Sequence, residues 1–376
     1  MFGRRIRLFR LLGFEVGLDY SWFLIALLVL WSLARGVFPA FVSGLPETDY
    51  WWMAMAGAAG LFGSIILHEL GHALVARAWG IRIGGITLFI FGGVAELEQE
   101  PPTPKSEFLM AIAGPIASFL LGGLSYGFQA LNDTLAGPIE ATAILSYLAW
   151  INLALGLFNL LPAFPLDGGR VLRSIFWGLK KNLLWATRVA SRIGALFAYL
   201  LLAAGAVAFL FGNFIGGLWW FILGFFIRAA SRMSYQRVAL RQALAGESVA
   251  RVMDPHPLAV PASISLREMV EQYAYRSQVH TFPVVEDGHL LGCITLDQLK
   301  KVPSSEWDQR TAQNLASPCS SEATVTPEAD AAEALSTMNR TRRRRLLVVD
   351  HDRLVGVITL SDLLNFLSRK IEFEGA

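Results

Sequence analysis

This sequence is short of charge. Asp, Glu, Lys and Arg make up 16% of its 376 residues, against 54% hydrophobic. A soluble globular chain carries about 25% charged residues. Such a composition excludes a disordered chain and a coiled coil. Cysteine is as scarce: Cys293 and Cys319 are the two. That excludes a small disulfide scaffold, and two cysteines without a framework imply a reducing, cytosolic compartment. The net charge of +2 is too small to argue for nucleic acid.

The shortage is uneven. Residues 1–245 hold 18 Lys+Arg and 12 Asp+Glu, whereas residues 246–376 hold 14 and 18. Ten of the 11 tryptophans lie in the first part, and only Trp307 does not. A membrane domain over 1–240 followed by a soluble one over 246–376 fits this split. Spanning ~30 Å of hydrocarbon takes about 20 apolar residues. Six stretches qualify: Tyr20–Ala34 with the apolar sequence that follows it, Trp51–Ala76, Phe108–Leu131, Ile139–Leu161, Leu183–Phe211 and Phe214–Ala229. Arg4, Arg5, Arg7 and Arg10 precede the first span. Alternating sides from there puts Arg77, Arg82, Lys105, Arg170, Arg173, Lys180, Lys181, Arg228 and Arg232 with them. The opposite loops hold only Arg35, so both termini are expected in the cytoplasm. Ile86–Val94 is too short to span. Its Thr, Ile and Phe favour strand, and a strand at membrane depth must pair or line a cavity.

The second span carries His68-Glu69-Leu70-Gly71-His72. Histidines at i and i+4 share one helix face and can converge on one ion, with the intervening Glu in reach of its bound water. An ionisable cluster inside a span is functional by default. The competing readings are a polar knot between helices and a proton relay. Zinc needs a third protein ligand and an open position for water. No further His precedes His256, so a carboxylate must serve. Glu96, Glu98 and Glu100 sit at a polar strand end and read as solvated. Asp167, after the fourth span in NLLPAFPLDGGR, is held by two prolines and followed by two glycines. A plain helix-capping Asp is the bland alternative.

HELGH in a membrane helix, with NLLPAFPLDGGR downstream, resembles the site-2 protease family of intramembrane zinc metalloproteases. The resemblance implies that His68, His72 and Asp167 bind one zinc and that Glu69 is the catalytic base. It implies substrate contacts at Asn159, Pro165, Phe91, Gly92 and Gly93, the last three on a membrane-associated β element. Gly114-Pro115 matches the family's Gly-Pro motif. The implied activity is that of a metalloendopeptidase cutting transmembrane helices of membrane-anchored proteins.

The cytosolic half repeats itself. FPVVEDGHLLGCITLDQLKK, from Phe282, matches LLVVDHDRLVGVITLSDLLN, from Leu346. Each copy, with its upstream segment, reads strand, helix, strand, turn, strand, helix. The repeats, about 249–303 and 310–371, resemble a tandem pair of CBS domains. Such pairs imply ATP, ADP or AMP binding, with Thr359 and Asp362 at the matching positions, and homodimerisation. The first copy departs, with Gln298 where an Asp is expected. Arg342 to Arg345 read as a basic turn, and His256, His280, His289 and His351 as surface residues.

The expected fold is thus a six-helix membrane protein with a short β element, followed by an α/β tandem CBS module, in a prokaryotic plasma membrane. A CBS-containing transporter or channel is the first rival, and would require polar residues in several spans or broken helices in matching halves. A catalytically inactive membrane chaperone is the second, and the intact HELGH argues against it.

Overall fold

The computed structural model describes residues 5–81, 83–97, 100–277, 279–341 and 343–374. Arg4, Arg82, Glu98 and Arg342 lie outside them. The chain divides into two compact units, Met1–Val238 and Ala239–Ala376.

The first unit opens on strands β1 (Arg5–Leu11) and β2 (Phe14–Asp19). Helices α1 (Ser21–Phe41) and α2 (Glu47–Ala78) follow, then β3 (Ile83–Phe89) and β4 (Gly92–Leu97). Helices α3 (Pro104–Thr134), α4 (Ile139–Asn159), α5 (Asp167–Lys180) and α6 (Leu183–Leu210) come next, and α7 (Phe214–Leu244) begins in this unit and ends in the second. Among the described residues, α1, α2, α3, α4, α6 and α7 are long and apolar enough to cross a membrane. Even the shortest, 21 residues, rises about 31 Å. Their outward faces carry exposed Leu24, Leu27, Trp31, Trp150 and Leu210, as lipid contact demands. Where α1, α2 and α4 meet, buried Phe38, Met53, Ala54 and Tyr147 form a core.

Charge sets the ends of α2. Glu47 and Asp49 occupy its first turn and Arg77 its last, each complementing the helix dipole. Thr103 and Ser106 form a reciprocal cap that starts α3, with Pro104 in the first turn.

The four strands make one sheet in the order β1-β2-β3-β4. β1 and β2 are antiparallel, β2 and β3 parallel, β3 and β4 antiparallel. The expected strand within Ile86–Val94 is therefore half of a hairpin in a larger sheet. Arg5, Arg7 and Arg10, topology signals in the sequence, stand on β1, and neither β1 nor β2 is among the elements expected from the sequence. Phe14 on β2 and Ile86 on β3 are buried against Leu70 and Ala73 of α2. The sheet thus lies along the helix that carries HELGH, and β4 is its edge.

The second unit holds β5 (Val260–Pro261), β6 (Thr281–Glu286), β7 (His289–Thr295), β8 (Thr324–Val325), β9 (Arg345–Asp350) and β10 (Arg353–Thr359). Their order, β5-β6-β7-β10-β9-β8, places the two repeats edge to edge through β7 and β10. Each repeat has its own core, one around Phe282 and Ile294, the other around Leu346 and Ile358.

Two cysteine expectations need correction. Cys293 and Cys319 are disulfide-bonded, with Cα atoms 5.2 Å apart. Cys293 on β7 exchanges backbone hydrogen bonds with Ser317, which brings Cys319 alongside. A separation of 26 residues gives no sequence signal for such a pairing. Cysteine usage therefore does not argue for a reducing compartment.

Lys370 Nζ donates to Glu247 Oε1 at 2.6 Å, and Arg251 reaches the other oxygen at 2.5 Å. The lysine bond, then the nearby positive charges, hold the Glu247 carboxyl below its usual 4.5. A depressed acid contributes stability above its unfolded pKa and loses it as pH falls through the folded value. Lys370→Met is therefore expected to lower the melting temperature at neutral pH. The gap to wild type should close as pH falls below 4.5; a pH-independent gap would contradict the linkage.

Candidate metal centre

Two turns from the end of α2, His68 and His72 point one way, one helical turn apart. Both are buried, and so is Asp167, the first residue of α5. His68 Nε2 and His72 Nε2 each lie 3.1 Å from Asp167 Oδ2, and 3.3 Å from one another. Among the described residues, this trio is the group of His, Cys, Asp or Glu that could hold a metal ion. A tetrahedral zinc with bonds of about 2.0–2.1 Å needs ligand atoms about 3.3 Å apart. The trio fits that size, and its chemistry, two imidazoles and one carboxylate, is a donor set of hydrolytic zinc.

The far ring nitrogens set which tautomer faces inward. His72 Nδ1 lies 2.6 Å from the Met110 carbonyl oxygen, which can only accept. Nδ1 therefore carries the proton, and a neutral His72 offers the Nε2 lone pair to the centre. His68 Nδ1 is 2.9 Å from Ser118 Oγ, a contact that fixes its ring plane. Both partners belong to α3, which passes against the histidines at Gly114. A Cβ there would overlap His72 Nε2 and stand 2.6 Å from His68 Nε2. Glycine at 114 is thus a condition of the site.

Asp167 is delivered by the loop after α4. It is not a capping residue, since Leu166 precedes the helix as its cap and Asp167 sits inside the first turn. Gly168 and Gly169 are helical rather than a turn after Asp167; a Cβ on either would strike the backbone of Leu160 or Phe164. The start of α5 is also pinned by charge. Arg173, buried, bonds buried Glu107 of α3, with Glu100 Oε2 3.1 Å from its guanidinium. Arg173 is therefore a buried, paired cation, and Glu100 is not the solvated strand-end residue expected. Removing one partner of a buried pair costs about 3–5 kcal/mol. Glu107→Ala is expected to lose roughly that by denaturant titration; a loss under ~1 kcal/mol would contradict the clamp.

Glu69 is half-buried, and Oε2 accepts from the Ala95 backbone N–H of β4 at 3.1 Å. β4 comes so close that a Cβ on Gly93 would lie 2.6 Å from Glu69 Cγ. The sheet edge and HELGH therefore form one constellation. Gly92 has φ +124° beside the Ile90–Phe91 turn, and Phe91 stacks on Phe226 of α7 with ring centroids 4.2 Å apart. Asn159 ends α4, donating to its own Leu155 carbonyl at 3.0 Å, and Pro165 lies in the following loop.

The sequence reading missed three polar groups here. Besides Ser118 and the Glu107–Arg173 pair, buried Asn152 of α4 donates to Ser64 Oγ at 2.9 Å. Ser64 sits one turn before His68, so this bond ties α4 to the histidine helix. An Asn at mid-span, in addition to Asn159 at the span's end, is the available signal. On the second unit, Thr359 and Asp362 do come together. Asp362 Oδ2 accepts from the Thr359 hydroxyl at 2.6 Å and backbone N–H at 2.8 Å, capping the helix Leu360–Glu374. Gln298 caps Thr295 in the same way, which explains why that position tolerates an amide.

The profile of Peptidase family M50 matches residues 56–133 and 124–203, and that of the CBS domain matches 249–305 and 318–369. Rip3 of Mycobacterium tuberculosis is 37% identical over 367 residues, covering 96% of this chain and 92% of Rip3. This chain belongs to peptidase family M50. It is a zinc metalloprotease of the site-2 protease type, with a CBS pair. Zinc metalloprotease MJ0392 of Methanocaldococcus jannaschii is 29% identical to this M50 peptidase, covering 96% of each chain. A solved site-2 protease from Methanocaldococcus jannaschii matches at 30% identity and TM-score 0.43, over 62% of this chain and 95% of that one.

Proposed function

We propose that this M50 peptidase hydrolyses a peptide bond within the transmembrane segment of a membrane-anchored protein. The observation that carries the proposal is the position of the His68–His72–Asp167 triangle and Glu69: buried among helices long enough to span a bilayer, beside an open strand edge. His68, His72 and Asp167 would hold zinc. The bound ion would bring the pKa of a water toward ~7 and polarise the scissile carbonyl. Glu69 takes the water proton and delivers it to the leaving amine. The Ala95 N–H orients the Glu69 carboxylate between those two transfers.

A helical substrate hides its carbonyls in i to i−4 bonds, so a segment must unwind before attack. β4, last in the sheet order and paired with β3 alone among the described residues, offers backbone partners to the unwound strand. Gly93 lets that strand edge lie against Glu69, while Phe91, Gly92, Asn159 and Pro165 line the approach. In proteoliposomes holding a single-span substrate, proline at Phe89 or Phe91 is expected to cut turnover far more than zinc content. Equal loss of both would reject the strand role.

The CBS pair is proposed to bind an adenine nucleotide at Thr359 and Asp362 and to pair two chains, with both termini in the cytoplasm. Binding of AMP, ADP or ATP that Asp362→Ala abolishes would support the first part. Silence with all three would leave the module to dimerisation.

A further inference from the structure

Between Gly168 and Gly246 the sequence has ten Lys or Arg and no Asp or Glu. Four of these cations meet in one place. Arg188 and Arg192 of α6, and Arg228 and Arg232 of α7, form two i,i+4 pairs around a cleft of about 450 Å³, with Ser191 and Tyr235. Among the described residues, no carboxylate lies within salt-bridge distance of any of the four. Arg188 Nε donates to Tyr235 Oη at 3.2 Å, and Arg228 lies 5.3 Å over the Tyr199 ring. Two like charges at i,i+4 repel, and here two such pairs face one another. Ser191 adds a second sign: its Oγ is buried and has no hydrogen-bond partner among the described residues. Guanidinium groups and a hydroxyl are donors to phosphate.

Depth identifies the source of the phosphate. Beyond Arg192, Ile193–Leu210 runs 18 residues without a charge, about 27 Å of helix. On α7 the uncharged run Phe214–Ile227 ends at Arg228. The four arginines therefore stand at the edge of the hydrocarbon, where headgroup phosphates lie. One or two turns from the arginines toward the membrane centre, Leu196, Leu200 and Phe225 are exposed and offer apolar contact. A free phosphate has no use for that apolar lane, whereas an acyl chain fits it.

We infer that the cleft between α6 and α7 binds the phosphate headgroup of an anionic phospholipid, clamping the last two spans together. The test uses the full-length, delipidated protein in neutral detergent, with native mass spectrometry reading bound lipid. Phosphatidylglycerol is expected to bind more tightly than phosphatidylcholine, and inorganic phosphate is expected not to displace it. R192Q/R228Q should weaken phosphatidylglycerol binding roughly thirtyfold. R237Q/R241Q, which removes the same charge further along α7, should leave it unchanged, and zinc content should be equal in all three proteins. Equal weakening in both double variants would reduce the effect to diffuse charge and overturn the site. Displacement by inorganic phosphate would overturn the lipid assignment. S191A gives a milder check: a several-fold loss is expected, and no change at all would remove Ser191 from the site.

Discussion

Glu69→Gln is expected to keep one zinc per chain and to lose turnover by about 10²–10⁴-fold, the range a positioned general base supplies. The amide preserves the shape of the side chain, and its oxygen can still accept from the Ala95 N–H that Glu69 Oε2 holds at 3.1 Å. What it cannot do is take a proton. The three side chains that could hold the metal do not include Glu69, so the ion is expected to stay. Metal analysis and cleavage rate on the same preparation separate the two roles. Loss of zinc with activity would make Glu69 a ligand or a structural residue. Unchanged activity would remove it from the chemistry.

Gly114→Ala is expected to do the reverse, taking the metal and with it the activity. The added methyl would occupy the space of His72 Nε2 and crowd His68 Nε2 at 2.6 Å. Neither ring can move aside freely. His72 is held by the Met110 carbonyl and His68 by Ser118, and both partners ride on the same helix as Gly114. Removing one hydrogen-bonded support of a metal ligand costs about 10–100-fold in affinity. Displacing two ligands should exceed the upper end of that range. Far-ultraviolet circular dichroism should stay near wild type, because α3 accepts alanine more readily than glycine. A variant that binds zinc normally would contradict the packing of α3 on the histidines.

Much of this centre is legible in the sequence, and the reason is spacing. His68 and His72 are one helical turn apart in a segment too apolar to carry them for another purpose. Asp167 is a carboxylate bracketed by Pro165 and Gly168 at the end of a span. The spans are legible for the same cause, since about 20 uncharged residues leave few alternatives. The CBS pair announces itself by repetition at two positions of one chain. What stays hidden is whatever depends on contacts between distant elements. Ser118 and the Met110 carbonyl become partners of the histidines only because Gly114 lets α3 approach. Arg173 reads as one more cation of a basic loop until α5 folds it onto Glu107. Cys293 and Cys319 look unrelated until the backbone bridge at Ser317 joins them. The N-terminal hairpin was within reach. Arg5 and Arg7 flank apolar Ile6 and a Leu12-Gly13 turn follows, but Leu8-Phe9 breaks the alternation and the arginines also suit a membrane flank.

Because β2 and β3 pack on Leu70 and Ala73 while β4 touches Glu69, the sheet couples the strand edge to HELGH through both backbone and side chains. Substrate docked on that edge would sit beside the carboxylate proposed to activate water. Hydrolysis inside the apolar part of a membrane segment is the central claim. Its most direct measurement is mass spectrometry of the products formed from a single-span substrate in zinc-loaded proteoliposomes, wild type beside Glu69→Gln. The account predicts new termini within the substrate's apolar segment for wild type and none for the variant. Cuts confined to the water-exposed flanks, or the same products from both proteins, would contradict it.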